Sequence, residues 1–308
     1  MRKDNHTIDL HMHSVHSDGT FTTNELLAML WDKNADIISF TDHDSVGCYY
    51  DIREGRARLY PDVTLIPGVE LSCQVNGLLR DMLGYGISVD YINDYLNEKY
   101  SPANRLKKQQ LVLERFKEIC RSKNLCFDES IQVTEGKKAE GYTVMYMEIN
   151  RHPENIERFP FLADCTRLYW DHISNADSEF FIDETFDLPT FAEAIDVIHK
   201  AGGKAFLAHP FVYGMSDEDT EALIKYAADN GADGLELKHQ SNKPGHVDKL
   251  RHFAQKYHLL TSGGTDFHGL NKPGIKLITA FGNMLVEYED VKTWVDELVD
   301  AGKTEGLS

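Results

Sequence analysis

The chain has 308 residues, with 32 Lys+Arg against 50 Asp+Glu, for a formal net charge of −18. Such a surface repels nucleic-acid backbone and anionic lipid at long range, so a general nucleic-acid binder is disfavoured; a small anionic substrate would need a local positive centre. No run of about 18 apolar residues and no charged-then-apolar leader is present, so neither a membrane span nor a secretory signal is expected.

The length suits one large core, or one core with an inserted subdomain. Five scattered cysteines (Cys48, Cys73, Cys120, Cys126, Cys165) lack metal-type pairing and read as reduced thiols of a cytoplasmic protein.

In chain order, residues 8–13 alternate as a short strand, and Thr22-Thr23-Asn24-Glu25 forms a capping-box pattern ahead of Leu26, Leu27 and Leu30 on one helical face. Residues 36–40, 63–66 and 82–87 read as further strands. After a long interruption, Thr190-Phe191-Ala192-Glu193 repeats the capping-box pattern and starts a helix that Gly202-Gly203 ends. Strands are then expected at 204–208, 234–237 and 259–262, with helices near 218–229 and 246–257. Strands alternating with helices of this length imply a parallel sheet or an α/β barrel.

Ligand-type residues recur at strand ends. His11 and His13 close the first strand at i, i+2 spacing, hence on one face, with His16 and Asp18 just beyond. Asp42-His43-Asp44 follows the second strand, Glu70 the third, and His209 the strand at 204–208. Asp266 and His268 follow the strand at 259–262, again at i, i+2. In an α/β barrel the C-terminal strand ends converge on one rim, so these separate groups are expected to meet there. A mixed His/carboxylate set without thiolate suits Zn, Mn or Fe, and the donors outnumber the needs of one ion, so two or three divalent metals are expected. One of Asp42 and Asp44 is expected to orient His43. His6, His152, His172, His199, His246, His252 and His258 end no strand beside acidic neighbours and read as surface or core residues. His16 is left outside the ligand set.

The ordered motifs DLHMHS with SDG, TDHD, PGVELS, AHP and GTDFHG resemble those of the PHP (polymerase and histidinol phosphatase) superfamily, closest to its stand-alone metal-dependent phosphoesterase branch. The resemblance spans roughly residues 8–90 and 190–282. It implies a distorted (β/α)7 barrel with a trinuclear metal centre that hydrolyses phosphate esters by metal-activated hydroxide. Carried over motif by motif, it places His11, His13 and Asp266 on one metal, with Glu70 bridging to a second that His209 binds. Asp18, His43 and His268 would hold the third.

Two departures stand out. Relatives commonly carry a histidine where this chain has Asp81, which would serve as a harder oxygen ligand favouring Mn or Fe over Zn. The threonine-arginine-proline-histidine stretch of many relatives has its nearest match at Thr143-Val144-Met145-Tyr146, without Arg or His.

The barrel is therefore expected from residues 1–90 and 189–308, with an inserted, mainly helical lid or substrate subdomain at 91–188. Within the insert, residues 104–121 read as an amphipathic helix. Arg105, Lys107 and Lys108 near its start form either a solvated face or, through Arg105 and Lys108, a grip on substrate phosphate. Lys238 and His239 end a strand at the rim and are further substrate candidates. His239 or His209 would protonate the leaving group. The expected partner is a small phosphomonoester, nucleotide or similar; neither a long nucleic acid nor a membrane is expected, and oligomeric state is not readable. Three other readings stay open: a nuclease on short nucleic-acid ends, which would need a basic track; a metal-dependent amidohydrolase, demoted only by the resemblance; and a non-catalytic metal-binding module, which would be expected to have lost ligands.

Overall fold

The computed structural model describes residues 6–133, 140–278 and 285–304. The end of the motif-bearing span, residues 279–282, lies outside them. The chain divides into two compact units, Met1–Leu96 with Leu188–Ser308, and Asn97–Asp187.

The first unit is α/β. Strands β1 (Ile8–Asp9), β2 (Ile37–Ile38) and β3 (Thr64–Leu65) form a parallel three-stranded sheet. Strands β4 (Gly68–Val75), β5 (Leu78–Tyr85), β6 (Lys204–Leu207), β7 (Gly234–His239) and β8 (Leu260–Gly264) follow one another across a second, five-stranded sheet. The helices are α1 (Thr23–Asp32), α2 (Gly47–Arg53) and α3 (Val89–Lys99), then, beyond the second unit, those flanking β6 to β8.

Two expectations need correction. Not every strand is parallel: β4 and β5 form an antiparallel hairpin, and β5 runs antiparallel to β6 as well. Asn76 and Gly77, both at positive φ, make the tight reversal that a two-residue hairpin loop requires. Nor do the strands form one closed ladder. Instead the two sheets meet at two irregular seams. At one, the chain beyond β1 runs beside the chain beyond β8, through Leu10 N–H to Gly263 O (3.2 Å), Asp266 N–H to His11 O (2.8 Å) and His13 N–H to Phe267 O (2.9 Å). At the other, the chain beyond β2 pairs with β4 through Asp44 N–H to Glu70 O (2.9 Å). Gly264 is required at the first seam, because a Cβ there would collide with the His11 backbone.

The second unit is built from α4 (Pro102–Ser122), α5 (Glu140–Ile149), α6 (Pro153–Arg158) and α7 (Cys165–Arg167), followed by a π-helical turn at Leu168–Ile173. Val112, Leu113, Phe116 and Cys120 of α4 pack with Met145 and Ile149 of α5 and with Leu162 and Phe180. Thr143-Val144-Met145-Tyr146 therefore lies on a core helix, with Met145 fully buried. Arg105 is exposed on α4, and Lys108 pairs with Asp187 at 2.9 Å inside the same unit.

Returning to the first unit, α8 (Phe191–Lys200), α9 (Asp217–Asp229), α10 (His246–Tyr257) and α11 (Tyr288–Asp300) follow. Both sequence-read capping boxes form: Thr22 with Glu25 starts α1, and Thr190 with Glu193 starts α8. α8 buries Phe191, Ala194, Ile195, Val197 and Ile198, the spacing of one helical face. Trp294 of α11 stacks on Tyr85 (5.1 Å between ring centroids) and tilts against Phe206 (5.1 Å) in a core with Ile8, Leu10, Ile37 and Leu83.

Asp9 fastens the first seam from within. Fully buried, it accepts Thr265 N–H (2.9 Å) on Oδ1, and Thr265 Oγ1–H (2.8 Å) and Ile278 N–H (3.0 Å) on Oδ2. Every neighbour donates, so an amide in its place turns an N–H toward a donor. Asp9→Asn is expected to cost roughly 1–3 kcal/mol, about as much as Asp9→Ala, because each leaves a buried donor unpaired. Urea denaturation checks this, and a wild-type midpoint for Asp9→Asn would refute the clamp.

Candidate metal centre

The two seams bring the ligand-type residues together. His11 and His13 on one strand extension lie beside Asp266 and His268 on the other, and His43 lies across the second seam from Glu70. Three overlapping donor groups result: His11, His13, Glu70 and Asp266; His13, Asp18, His43 and His268; and His43, Glu70 and Asp81. His209 joins through its Nε2, 3.0 Å from Glu70 Oε1 and 3.9 Å from Asp81 Oδ2. His16 pairs instead with Asp51 at 2.6 Å.

Spacing and donor chemistry test whether ions fit here. With bonds of about 2.0–2.2 Å, neighbouring donors around one ion stand roughly 2.9–3.6 Å apart. In the first group His11 Nε2 is 3.2 Å from His13 Nε2, 3.1 Å from Glu70 Oε2 and 3.5 Å from Asp266 Oδ1. His13 Nε2 is 3.2 Å from each of the same two oxygens. Elsewhere, His43 Nδ1 and His268 Nε2 are buried without a hydrogen bond, although each faces a carboxylate, Glu70 Oε2 at 3.4 Å and Asp18 Oδ2 at 3.1 Å. The donors thus stand at ion-like spacings, two of the ring nitrogens face carboxylates without bonding to them, and the set fits divalent ions. The groups also differ in exposure: His11 and Glu70 are sealed, whereas the Asp18 and His43 side chains are 54% and 32% exposed, so the Asp18 group is the open side.

Surrounding contacts fix the tautomers these donors need. His11 Nδ1–H donates to Glu236 Oε1 (2.9 Å), leaving Nε2 as the free lone pair; His268 Nδ1–H donates to Asp266 O (2.8 Å), with the same result. Glu236 Oε2 also accepts the His209 amide (2.9 Å). Asp42, instead of orienting His43, accepts Ser14 N–H, Ser14 Oγ–H and Ser17 Oγ–H, each at 2.7 Å, and so shapes the loop that carries Asp18. Asp44 accepts the Ser72 amide at 3.2 Å. His209, Asp266 and Asp44 sit at φ of 26°, 52° and 45°, uncommon for residues with a Cβ and held here by the surrounding bonds.

Charges in the cluster shift one another strongly. Burial pushes His11 and His13 down, but the carboxylates around them prevail, raising His11 well above the usual imidazole value and His13 to about 9. Burial would raise Glu70 and Asp266, yet the imidazoles hold both well below the ordinary carboxylate range, and His268 with His13 brings Asp18 to about 2. Asp81 goes the other way: burial and the Glu70 charge push it up, the sign of a carboxylate short of positive partners.

The two β7 candidates part company. A bulge between Glu236 and Lys238 breaks the alternation, so Glu236 and His239 share the inner side. Lys238 does not reach the site: its Nζ binds Asp290 Oδ2 (2.9 Å) and Leu285 O (2.8 Å). His239 is buried, and its Nδ1 accepts from Ser241 N–H (3.2 Å), so the proton sits on Nε2 and points to Asp266 Oδ2 at 3.1 Å. Two residues escaped the sequence reading. Glu236 hides inside the apolar strand GLELKH, where only its isolation as a buried carboxylate marks it. Lys272, in a loop six residues past Asp266, places Nζ 2.5 Å from Asp266 Oδ2.

No family model matches the chain. It is similar to the 5'-3' exoribonuclease Rnm of Escherichia coli, 28% identical over 267 residues and covering 84% of each chain. It is also similar to the 3',5'-nucleoside bisphosphate phosphatase of Chromobacterium violaceum, 24% identical over 281 residues, covering 87% of this chain and 89% of that one. A solved structure from Bifidobacterium adolescentis, described as a metal-dependent phosphoesterase, superposes with a TM-score of 0.59 over 98% of this chain and 97% of its own, at 22% identity, and shares the fold. The chain is thus a homologue of bacterial enzymes that cleave phosphate esters, and its ordered motifs resemble those of the PHP superfamily.

Proposed function

We propose that this protein is a metal-dependent phosphoesterase that hydrolyses small phosphate esters of the nucleotide type. The observation that carries the reading is the placement of Glu70. Its Oε2 faces His11, His13 and His43 at 3.1–3.4 Å while its Oε1 faces His209 at 3.0 Å, the posture of a carboxylate shared between ions. Bound divalent metals would supply Lewis acidity and a water acidic enough to act as nucleophile at neutral pH. The two seams between the sheets support a distorted (β/α)7 barrel around this centre, and the donor number supports a trinuclear one.

The residues take distinct parts. His11, His13, Glu70 and Asp266 would hold the sealed ion; His209 and Asp81, with Glu70, a second; Asp18, His43 and His268 the one on the open side. Oxygen-rich surroundings at Asp81 favour Mn or Fe over Zn there. Glu236 keeps the His11 lone pair directed inward. His239, with its Nε2 proton committed to Asp266, supports that ligand; His209, with its Nε2 on Glu70, would serve as a donor to the second ion. Substrate phosphate enters on the side of Asp18 and His43.

A second reading, removal of nucleotides from RNA 5' ends, is favoured by the similarity to the exoribonuclease. Both readings break a P–O bond at the same centre and differ in the length of substrate admitted. The acidic surface weighs toward short substrates.

Metal content comes first. Protein purified without chelator and reconstituted with Mn should carry at least two equivalents by elemental analysis, and less than one would sink the cluster. Glu236→Gln should weaken Mn affinity about 10–100-fold, as loss of a histidine-orienting partner does; unchanged affinity would dismiss its role. Asp81→Ala should lose one equivalent and Asp81→His should shift preference toward Zn, whereas unaltered stoichiometry in both would release Asp81 from the ligand set.

Turnover comes second. Phosphate release from nucleoside mono- and bisphosphates should vanish with EDTA and return with Mn, and His11→Ala or Asp266→Ala should lower it by about two orders of magnitude or more. Near-native rates in both variants would move the chemistry elsewhere. Faster cleavage of 5'-phosphorylated oligoribonucleotides than of any mononucleotide would select the second reading.

A further inference from the structure

The Asp266 carboxylate is gripped on one oxygen by two donors, His239 Nε2–H at 3.1 Å and Lys272 Nζ at 2.5 Å, while its other oxygen faces His11 and His13. The two grips differ in kind. His239 is buried and fixed at both ring nitrogens, whereas the Lys272 side chain is 39% exposed and bears on the site from the solvent side.

The loop that delivers Lys272 is pinned, not loose. Leu270 N–H donates to Thr20 Oγ1 (2.9 Å), Asn271 Nδ2–H donates to Asp18 O (2.7 Å), and Phe267 stacks on Phe21 (5.9 Å). Gly269, at φ 66°, lies where a Cβ would collide with Thr20 and Phe21. The loop is therefore fastened to the segment carrying Asp18, the most exposed of the donors. Only the four-carbon lysine stem is left to move.

We propose that Lys272 is a substrate-phosphate anchor: it rests on Asp266 when the centre is free of substrate and turns its ammonium to the phosphate that enters beside Asp18. This inference rests on the phosphoesterase reading for the identity of its ligand. The physical argument is a competition for one cation. A divalent ion held by Asp266 and the imidazoles would repel a neighbouring ammonium and withdraw charge from the carboxylate, so the ion pair with Lys272 would weaken on loading. His239 keeps Oδ2 satisfied after the lysine leaves. A phosphate with two or three anionic oxygens is then the stronger partner for a mobile ammonium, which serves as a point charge without needing a fixed approach.

Calorimetric titration of the Mn-loaded protein with inorganic phosphate tests this without turnover, alongside Mn titration of the metal-free protein. Lys272→Ala is expected to weaken phosphate about ten- to a hundred-fold, the range of a lost charge-assisted bond. Lys272→Arg should retain most of the affinity, and Mn affinity should change less than about two-fold in either. Phosphate affinity unchanged in Lys272→Ala overturns the proposal. So does a parallel loss of Mn and phosphate affinity, which would make Lys272 only a prop for Asp266. Lysine-dependent phosphate binding in a protein that hydrolyses no phosphate ester would refute the phosphoesterase reading and leave the anchor standing.

Discussion

A fully buried glutamate governs this structure. Glu70 has no exposed surface, and a lone carboxylate in that position would be strongly penalised or neutralised. Four imidazoles, from His11, His13, His43 and His209, surround its two oxygens within 3.4 Å and keep it ionised. They arrive from three different parts of the backbone: two from the extension of β1, one from beyond β2, one from the end of β6. Satisfying one side chain thus fixes how the three-stranded and five-stranded sheets meet.

The seams follow from the same demand. A regular ladder would commit every backbone group and point alternate side chains away from the centre. His11 with His13, and Asp266 with His268, share a face through their i, i+2 spacing, and the single bridge of the seam sets the two pairs side by side. The left-handed backbone at His209, Asp266 and Asp44 belongs to the same compromise, at a cost of about 1–3 kcal/mol each that the surrounding bonds must offset. Asp9 and Glu236 supply such bonds from below the donors: one ties β1 to the Thr265 loop, the other ties His11 to the His209 amide.

What the sequence discloses and what it hides divide along a physical line. Ligand-type residues at strand ends are visible because their chemistry is out of place beside apolar runs, and the i, i+2 spacing declares a common face. The capping boxes are visible because the partners lie three residues apart. Strand direction is not local in this way: the residues of β5 alternate identically whether it runs parallel or antiparallel, and Asp81 reaches the site only because the antiparallel run turns the start of β5 toward the centre. The misassignment of Lys238 has an equally definite cause. A strand-end position suggested access to the rim, but the bulge beside Glu236 turns Lys238 toward Asp290. Lys272 was invisible for a third reason. A lysine in a polar loop carries no periodic signal, and its meaning comes from a carboxylate six residues earlier whose orientation the seam decides.

The balance of charge connects these parts to recognition. The surface is acidic, and the centre itself is rich in carboxylates: Asp18, Glu70, Asp81 and Asp266, with Glu236 behind them. Without cations the histidines carry the compensating charge, as the elevated His11 and His13 indicate, and Asp81 is left short. Divalent ions would replace those protons and reverse the sign of the pocket at one place only, the half-open side near Asp18 and His43. An anion would then be drawn to that opening and repelled elsewhere. The long-range field works against an extended polyanion, whose distant phosphates would lie over acidic surface, and works much less against a single phosphate within reach of the ions, since screening confines the opposing field to about 8–10 Å. On the proposed function, the same arrangement that buries Glu70 would therefore favour short substrates, through charge distribution rather than through the shape of a groove.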